Sequence, residues 1–216
     1  MTEMPNHRRS FFPVCLNVSG KRCVVIGGGP VSLRKVKALL ENGAEVEVVS
    51  PHLCPELSEL SWINKIRTRQ KEFEPGDIEE AFLVIAATDS RASNRDIAEE
   101  ARRRRIPVNA VDDPETSDFI IPSYLNRGSL TIAVSTGGAS PALSRKIRTA
   151  LEDDFGAEYS QLTELVGEVR SELKRQGTIV DSEKWQQALD LDLLIEKLRS
   201  GQRDEAKSVL MKNLES

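Results

Sequence analysis

The chain has 216 residues, 39% hydrophobic and 30% charged, with 30 basic against 34 acidic side chains and a net charge of −4. That length and apolar content suffice for a real core, as one large domain or one domain with a smaller appendage, and exclude a disordered chain. The acidic balance argues against a general nucleic-acid binder, and no stretch approaches the ~18 apolar residues of a membrane-spanning helix.

Met1 to Ser10 is polar and basic with no apolar region behind it, so a cytoplasmic protein is expected. Cys15, Cys23 and Cys54 are odd in number and lack zinc-site spacing, which makes them buried or incidental thiols. His7 and His52 are the only histidines, too few for a histidine-built metal centre or a Ser-His-Asp triad, and no metal ligands are assigned. Chemistry must then rest on carboxylates, hydroxyls and a bound cofactor.

In chain order, Phe11 to Val18 reads as an opening strand and Ser19-Gly20-Lys21 as a turn. Val24-Val25-Ile26 is an unbroken apolar run, expected of a parallel strand buried on both faces. It enters Gly27-Gly28-Gly29-Pro30-Val31-Ser32, after which Leu33, Val36 and Leu40 lie on one side of a predicted helix. In the pattern Gly27-x-Gly29-x-x-Ser32, Gly27 suits a tight turn, Gly29 lets main chain approach a pyrophosphate, and Ser32 is small enough for helix to pack on strand. Free N–H groups near Pro30 and Val31, at the positive end of the helix dipole, would face the anion. An ordinary glycine-rich turn is the alternative. A second strand, Glu45 to Val49, completes a unit of nucleotide-binding size. The ribose-binding acid that often ends this strand is missing: the chain runs on as Ser50-Pro51-His52, so ribose contacts fall to backbone, Ser50 or His52. No arginine stands there to favour NADP.

A third strand is expected within Ile66 to Gln70 and a fourth over Phe82 to Ala87. A helix from about Arg91 to Arg105 follows, capped by Asp89 or Ser90, and then a strand over Ile106 to Val111. This alternation predicts a Rossmann-type α/β domain over residues 1–121, with helices on both faces of a parallel sheet. Its ligand crevice would gather the carboxyl ends of the strands: Gly27 to Ser32, Ser50 to His52, Ala87 and Thr88 with Asp89, and Asn109 to Asp113.

The pattern changes after Asp118. Phe119-Ile120-Ile121-Pro122 and Leu130 to Ser135 read as strands, and Ser140 and Pro141 open a helix to about Glu152. Residues 122–155 form a small α+β region. Residues 156–216 read as a C-terminal helical region, with Tyr159, Leu162, Leu165, Val166 and Val169 at helix spacing and Trp185, Leu189, Leu194 and Leu198 beyond. The run Arg102 to Arg105 ends a helix and reads as solvated charge. Residues 119–151 hold Arg127, Arg145, Lys146 and Arg148 and no acidic residue, which makes either a positive wall for a polyanion or merely solvated helix charges. Asp112 and Asp113, just past a strand end and before Pro114, are either a general base near a nicotinamide or a simple turn.

Four stretches together resemble the siroheme-synthase family, in its precorrin-2 dehydrogenase and sirohydrochlorin ferrochelatase module. They are Val24 to Lys35, Ala86-Ala87-Thr88-Asp89 with Asn94, Asn109 to Pro114, and Ala133 to Pro141, in the family's order and spacing over roughly residues 11–155. The resemblance implies NAD+-dependent oxidation of precorrin-2 to sirohydrochlorin, with Fe2+ insertion in bifunctional members. It implies a homodimer interlocked through residues 122–155, and a separate uroporphyrinogen methyltransferase upstream, since the methyltransferase portion of trifunctional members is missing from these residues. By matching positions, Asp112 is the catalytic base, Pro30, Val31, Pro51 and His52 contact NAD, and Thr136 stands where some members carry a phosphorylated serine. A substrate rich in carboxylates would be met by Arg127, Arg145, Lys146 or Arg148, with Thr136 nearby. A non-catalytic NAD-sensing module is the competing reading, and a dehydrogenase of some small substrate a third.

Overall fold

The computed structural model describes residues 10–215. The chain divides into two compact units, the first ending at Ile121 and the second starting at Pro122.

The first unit runs β1 (Arg22–Ile26), α1 (Pro30–Glu41), β2 (Glu45–Val49), α2 (Pro55–Trp62), β3 (Arg67–Arg69), β4 (Leu83–Ala86), α3 (Arg91–Arg103) and β5 (Val108–Ala110). All pairings are parallel and the sheet order is β3-β2-β1-β4-β5. The strand apolar runs are continuous because each face is covered. Val24, Ile26, Val84, Ala86 and Val108 pack with Ile97, Ala98 and Ala101 of α3 on one side. Cys23, Val25, Val46, Val48 and Ile85 pack with Val36 of α1 and Leu57 of α2 on the other. Burial of these side chains contributes about 1.5–3 kcal/mol for each large one, which makes the sheet the rigid frame of the unit. Order reverses between β1 and β4, and a topological switch of this kind opens a crevice at the strands' carboxyl ends.

One buried charged residue, Glu47, interrupts the apolar run of β2. Glu47 is 4% exposed and is held by Arg22 at 2.9 Å and by Arg69, while buried Asp77 binds Arg69 at 3.2 Å and Lys71 at 3.1 Å. Breaking such a buried pair would leave an uncompensated charge inside, so these cations are committed to the scaffold.

Two expected strands are absent. Phe11 to Val18 pairs with no strand among the described residues, and Phe12, Val14 and Leu16 are exposed, with only Val18 reaching the core. Phe119-Ile120-Ile121-Pro122 is also irregular, and the chain leading into it meets β5 largely through side chains, with one main-chain bond from Asp118 N to Val108 O at 2.8 Å. Asp118 Oδ2 accepts from Val108 N at 3.1 Å, Ser117 Oγ accepts from Ala110 N at 2.9 Å, and Asn109 Nδ2 donates to Phe119 O at 3.0 Å. The edge groups of β5 are thus satisfied without a sixth strand. Helix α2, which the sequence reading omitted, starts at Pro55 as its first residue and buries only Leu57. Ser90, rather than Asp89, caps α3 by accepting from Ser93 N at 3.2 Å.

The second unit begins with an antiparallel hairpin, β6 (Ser123–Arg127) and β7 (Leu130–Val134), followed by α4 (Pro141–Asp154). Ser140 caps α4, accepting from Leu143 N at 3.2 Å. Helices α5 (Glu158–Arg175), α6 (Ser182–Ala188), α7 (Leu191–Arg199) and α8 (Arg203–Glu215) then close on their own core. Leu162, Leu165, Val169 and Leu173 of α5, at helical spacing, meet Leu194 and Leu198 of α7 and Leu210 and Leu214 of α8. Tyr159, Val166, Trp185 and Leu189 pack at its margin. No helix among the described residues is long and apolar enough to cross a membrane.

Candidate functional site

The bend after β1 is locked from three sides. Gly27 N donates to Val49 O at 2.9 Å, Cys54 N donates to Gly28 O at 2.8 Å, and Ala87 N donates to Ile26 O at 2.8 Å. Gly27 has φ +119°, which glycine alone adopts without strain, and a Cβ there would run into Ala87 O. A Cβ on Gly28 would overlap His52 O. Gly29 is different: a Cβ there would meet nothing within 4 Å, so it borders open space. Ser32 is fully buried beneath the bend and its hydroxyl donates to Ala87 O at 3.4 Å, which fastens α1 to the end of β4.

Helix α1 begins at this bend with no side-chain cap, Pro30 at its start and no acidic residue in its first turn. The N–H groups of Val31 and Ser32 therefore have no partner inside the helix, and the dipole's positive end is uncompensated. A pyrophosphate fits these residues: open space over Gly29, free donors beside it and no opposing carboxylate in the turn.

In front of the bend lies a cleft of about 630 Å³ lined by Gly27, Gly28 and Gly29, by Ser50, Pro51 and His52 after β2, and by Ala87, Thr88 and Asp89 after β4. The structure thus brings Gly27, Gly29, Ser50, Pro51, His52, Ala87 and Thr88 together. Pro30 and Val31 lie on the first turn of α1, outside the cleft lining. The Ser50 hydroxyl donates to His52 O at 2.8 Å, so it shapes the loop beside Gly28. Thr88 is held by buried Asn94, whose Oδ1 accepts from Thr88 N at 3.0 Å and from its hydroxyl at 2.8 Å and whose Nδ2 donates to Thr88 O at 3.1 Å. His7 lies outside the described residues.

The sequence reading missed Cys54, Glu72, Phe73, Ser93, Asp96 and Ile97, which also line the cleft. Glu72 and Phe73 follow β3, a three-residue Arg-Thr-Arg strand with too little apolar pattern to stand out. The available signal was topological, since the segment leaving any strand's carboxyl end in such a sheet borders the crevice.

Asp112 and Asp113 separate into two roles. Asp113 caps a short 3₁₀ turn, Pro114–Thr116, and meets Arg95 Nε at 3.5 Å. Partial burial raises its carboxyl pKa, but hydrogen bonds from Thr116 and Arg95 outweigh that and hold it below the usual carboxylate range. Asp112 is exposed, makes no hydrogen bond or ion pair among the described residues, and has φ +59°, a left-handed conformation costly for a side chain. Its charge is felt by half-buried Lys35 of α1. Burial first, then Arg34, lowers the Lys35 pKa, and Asp112 opposes them. Asp112 lies outside the lining of the 630 Å³ cleft, on the turn following β5.

Of the basic residues expected to meet an anion, Arg127 donates to Phe155 O at 2.7 Å and Asn126 O at 3.0 Å, and Arg148 pairs with Glu152. Arg145 and Lys146 are exposed on α4 and form no ion pair among the described residues. The Thr136 hydroxyl accepts from Ser140 N at 3.0 Å and lies 3.2 Å from the Ser144 hydroxyl, tying the glycine loop before α4.

Residues 14–123 match the profile of NAD_binding_7, an NAD(P)-binding family, and residues 127–153 match the profile described as Sirohaem biosynthesis protein central. The chain belongs to the siroheme synthase family. It is 43% identical over 210 residues to a protein named siroheme synthase from Thioalkalivibrio sulfidiphilus, covering 95% of this chain and 42% of that one. The corresponding protein of Nitrosospira multiformis is 45% identical over 169 residues, covering 76% of this chain and 36% of the relative. The chain therefore spans less than half the length of these curated relatives. Among solved structures, "SirC, precorrin-2 dehydrogenase" superposes with TM-score 0.69 at 25% identity, covering 94% of this chain and 100% of that one. A Rossmann-type sheet, a small hairpin and C-terminal helices match the fold of that structure.

Proposed function

We propose that the chain is an NAD+-dependent dehydrogenase that oxidises precorrin-2 to sirohydrochlorin. The observation that carries this reading is the uncapped α1 N-terminus under a glycine bend at the sheet's switch point, with open space over Gly29. The activity named for SirC, a precorrin-2 dehydrogenase whose structure covers 94% of this chain, supports the substrate.

NAD+, when bound, supplies the hydride acceptor. Gly27 and Gly29 let the main chain reach the pyrophosphate, Pro30 and Val31 present the helix start, and Pro51, His52, Ala87 and Thr88 enclose the nucleotide. Asp112, which makes no hydrogen bond or ion pair among the described residues, takes up the proton the tetrapyrrole loses on oxidation. Its left-handed backbone fits a residue held for a task rather than for stability. Arg145 and Lys146, which form no ion pair among the described residues, meet substrate carboxylates, while Arg127, Arg148 and Thr136 hold the loop and helix that carry them.

A homodimer built through residues 122–155 is part of the reading. Exposed Leu143 and Ile147, four residues apart on α4, support it as one apolar face. Precorrin-2 would reach this cytoplasmic enzyme from a separate uroporphyrinogen methyltransferase. Anaerobic incubation of the protein with precorrin-2 and NAD+, followed by the tetrapyrrole and NADH spectra, tests the reading. An unchanged spectrum refutes it, and later addition of Fe2+ or Co2+ reports whether insertion outruns the protein-free rate.

A further inference from the structure

We infer that Glu72, on the segment leaving β3, reads the adenosine ribose and sets the preference for NAD+ over NADP+. The inference rests on the nucleotide reading above and concerns a residue that reading does not use.

In dinucleotide sites of this topology a carboxylate at the end of the second strand accepts hydrogen bonds from the ribose hydroxyls and repels a 2′-phosphate. Here β2 ends in Val49-Ser50-Pro51, with no acid. The neighbouring strand supplies one. Val49 stands in register with Arg69, and Ser50 N donates to Arg69 O at 3.1 Å, so β2 and β3 end side by side. Three residues past Arg69, Glu72 lines the same cleft as Ser50, Pro51 and His52, with Phe73 as its neighbour in the chain. Phe73, half-buried, offers an apolar surface that suits an adenine ring, and Glu72 lines the same cleft. Glu72 is exposed and forms no hydrogen bond or ion pair among the described residues, so its oxygens are available.

The cations that could instead greet a 2′-phosphate are committed elsewhere. Arg69 is bound by Glu47 and Asp77, and Lys71 by Glu74 at 2.7 Å and Asp77 at 3.1 Å. Among the described residues no lysine or arginine lines the cleft, whereas Asp89 and Asp96 do, both carrying the sign that repels phosphate. Selectivity is thus local to one short loop: attraction of the ribose diol by Glu72, and no cation lining the cleft among the described residues.

Calorimetric titration of the full chain with NAD+, NADP+ and 2′-deoxy-NAD+ tests this without turnover. Wild type is expected to bind NAD+ at least tenfold tighter than NADP+. Glu72→Gln should weaken NAD+ about tenfold, bind 2′-deoxy-NAD+ as wild type does, and narrow the gap to NADP+, while Glu72→Arg should favour NADP+. Unchanged NAD+ affinity and selectivity in both variants, with wild-type melting curves, overturns the assignment, as does a loss confined to Asp96→Asn. If wild type bound no nucleotide, the dehydrogenase reading itself would fail, an outcome distinct from either.

Discussion

The carbonyl oxygen of His52 occupies the space a side chain on Gly28 would need, and Ser50 Oγ would lie 2.8 Å from the same Cβ. The β1 bend and the loop after β2 are therefore packed main chain on main chain. Gly28→Ala must push these loops apart. It should cost about 1–3 kcal/mol in stability, as overpacked sites do, and abolish NAD+ binding. Gly29→Ala is the contrast, because its backbone has ordinary angles (φ −89°, ψ −174°) and its Cβ meets nothing within 4 Å. That variant should melt as wild type does yet bind NAD+ at least tenfold more weakly, since the methyl group enters ligand space. Equal affinity in Gly29→Ala would place the pyrophosphate elsewhere.

Asp112 and Asp113 are adjacent but differently bound, so their amide variants should part. Asp112→Asn keeps a residue that tolerates φ +59° and removes only the charge. Precorrin-2 oxidation should fall by about 10²–10⁴-fold, the usual contribution of a general base, with calorimetric NAD+ affinity unchanged. An NAD-sensing module would be indifferent to this change, and full turnover in the variant would remove Asp112 from the chemistry. Asp113→Asn weakens the 3₁₀ cap and the Arg95 pair and should lower the melting temperature slightly with modest loss of rate.

Buried Asn94 sustains three hydrogen bonds to Thr88 and thereby fixes the wall of the cleft after β4. Asn94→Ala leaves the Thr88 backbone groups unpaired where water reaches them poorly, at a cost of about 1–3 kcal/mol. Denaturant unfolding should show that loss, accompanied by weaker NAD+ binding. A variant as stable as wild type would mean that the Thr88 turn holds its shape unaided.

The parallel sheet was legible because its strands are continuous apolar runs separated by helices. Val24 to Ile26 and Leu83 to Ala86 need burial on both faces, which a parallel sheet covered by helices provides. The glycine bend was legible for the same local reason. What stayed hidden depends on partners distant in sequence. Phe11 to Val18 has strand-like composition but finds no strand to pair with among the described residues, and at the β5 edge Asp118 and Ser117 side chains accept the Val108 and Ala110 N–H groups in place of a strand over Phe119 to Ile121. The even-looking basic segment also divided only in three dimensions, where Arg127 and Arg148 are occupied and Arg145 and Lys146 are not. Glu72 was invisible because nothing in a polar three-residue strand announces that it ends beside Ser50.

Glu168 of α5 provides a test of the helical unit by pH. Hydrogen bonds from Lys207 first and then Arg203, both on α8, lower its carboxyl pKa from an ordinary 4.5 to about 2. A carboxyl depressed in the folded state binds fewer protons than in the unfolded chain, so its stabilising effect is complete above about pH 4.5 and is lost as pH falls toward 2. The group is solvent-exposed and screened by salt, so the effect should be small at neutral pH and smaller still in concentrated salt. Glu168→Gln should melt below wild type at pH 7, and the gap should close progressively between pH 4.5 and 2. A gap independent of pH would mean that the helix contact is held by shape and hydrogen bonding alone, with the α5–α8 charges contributing nothing.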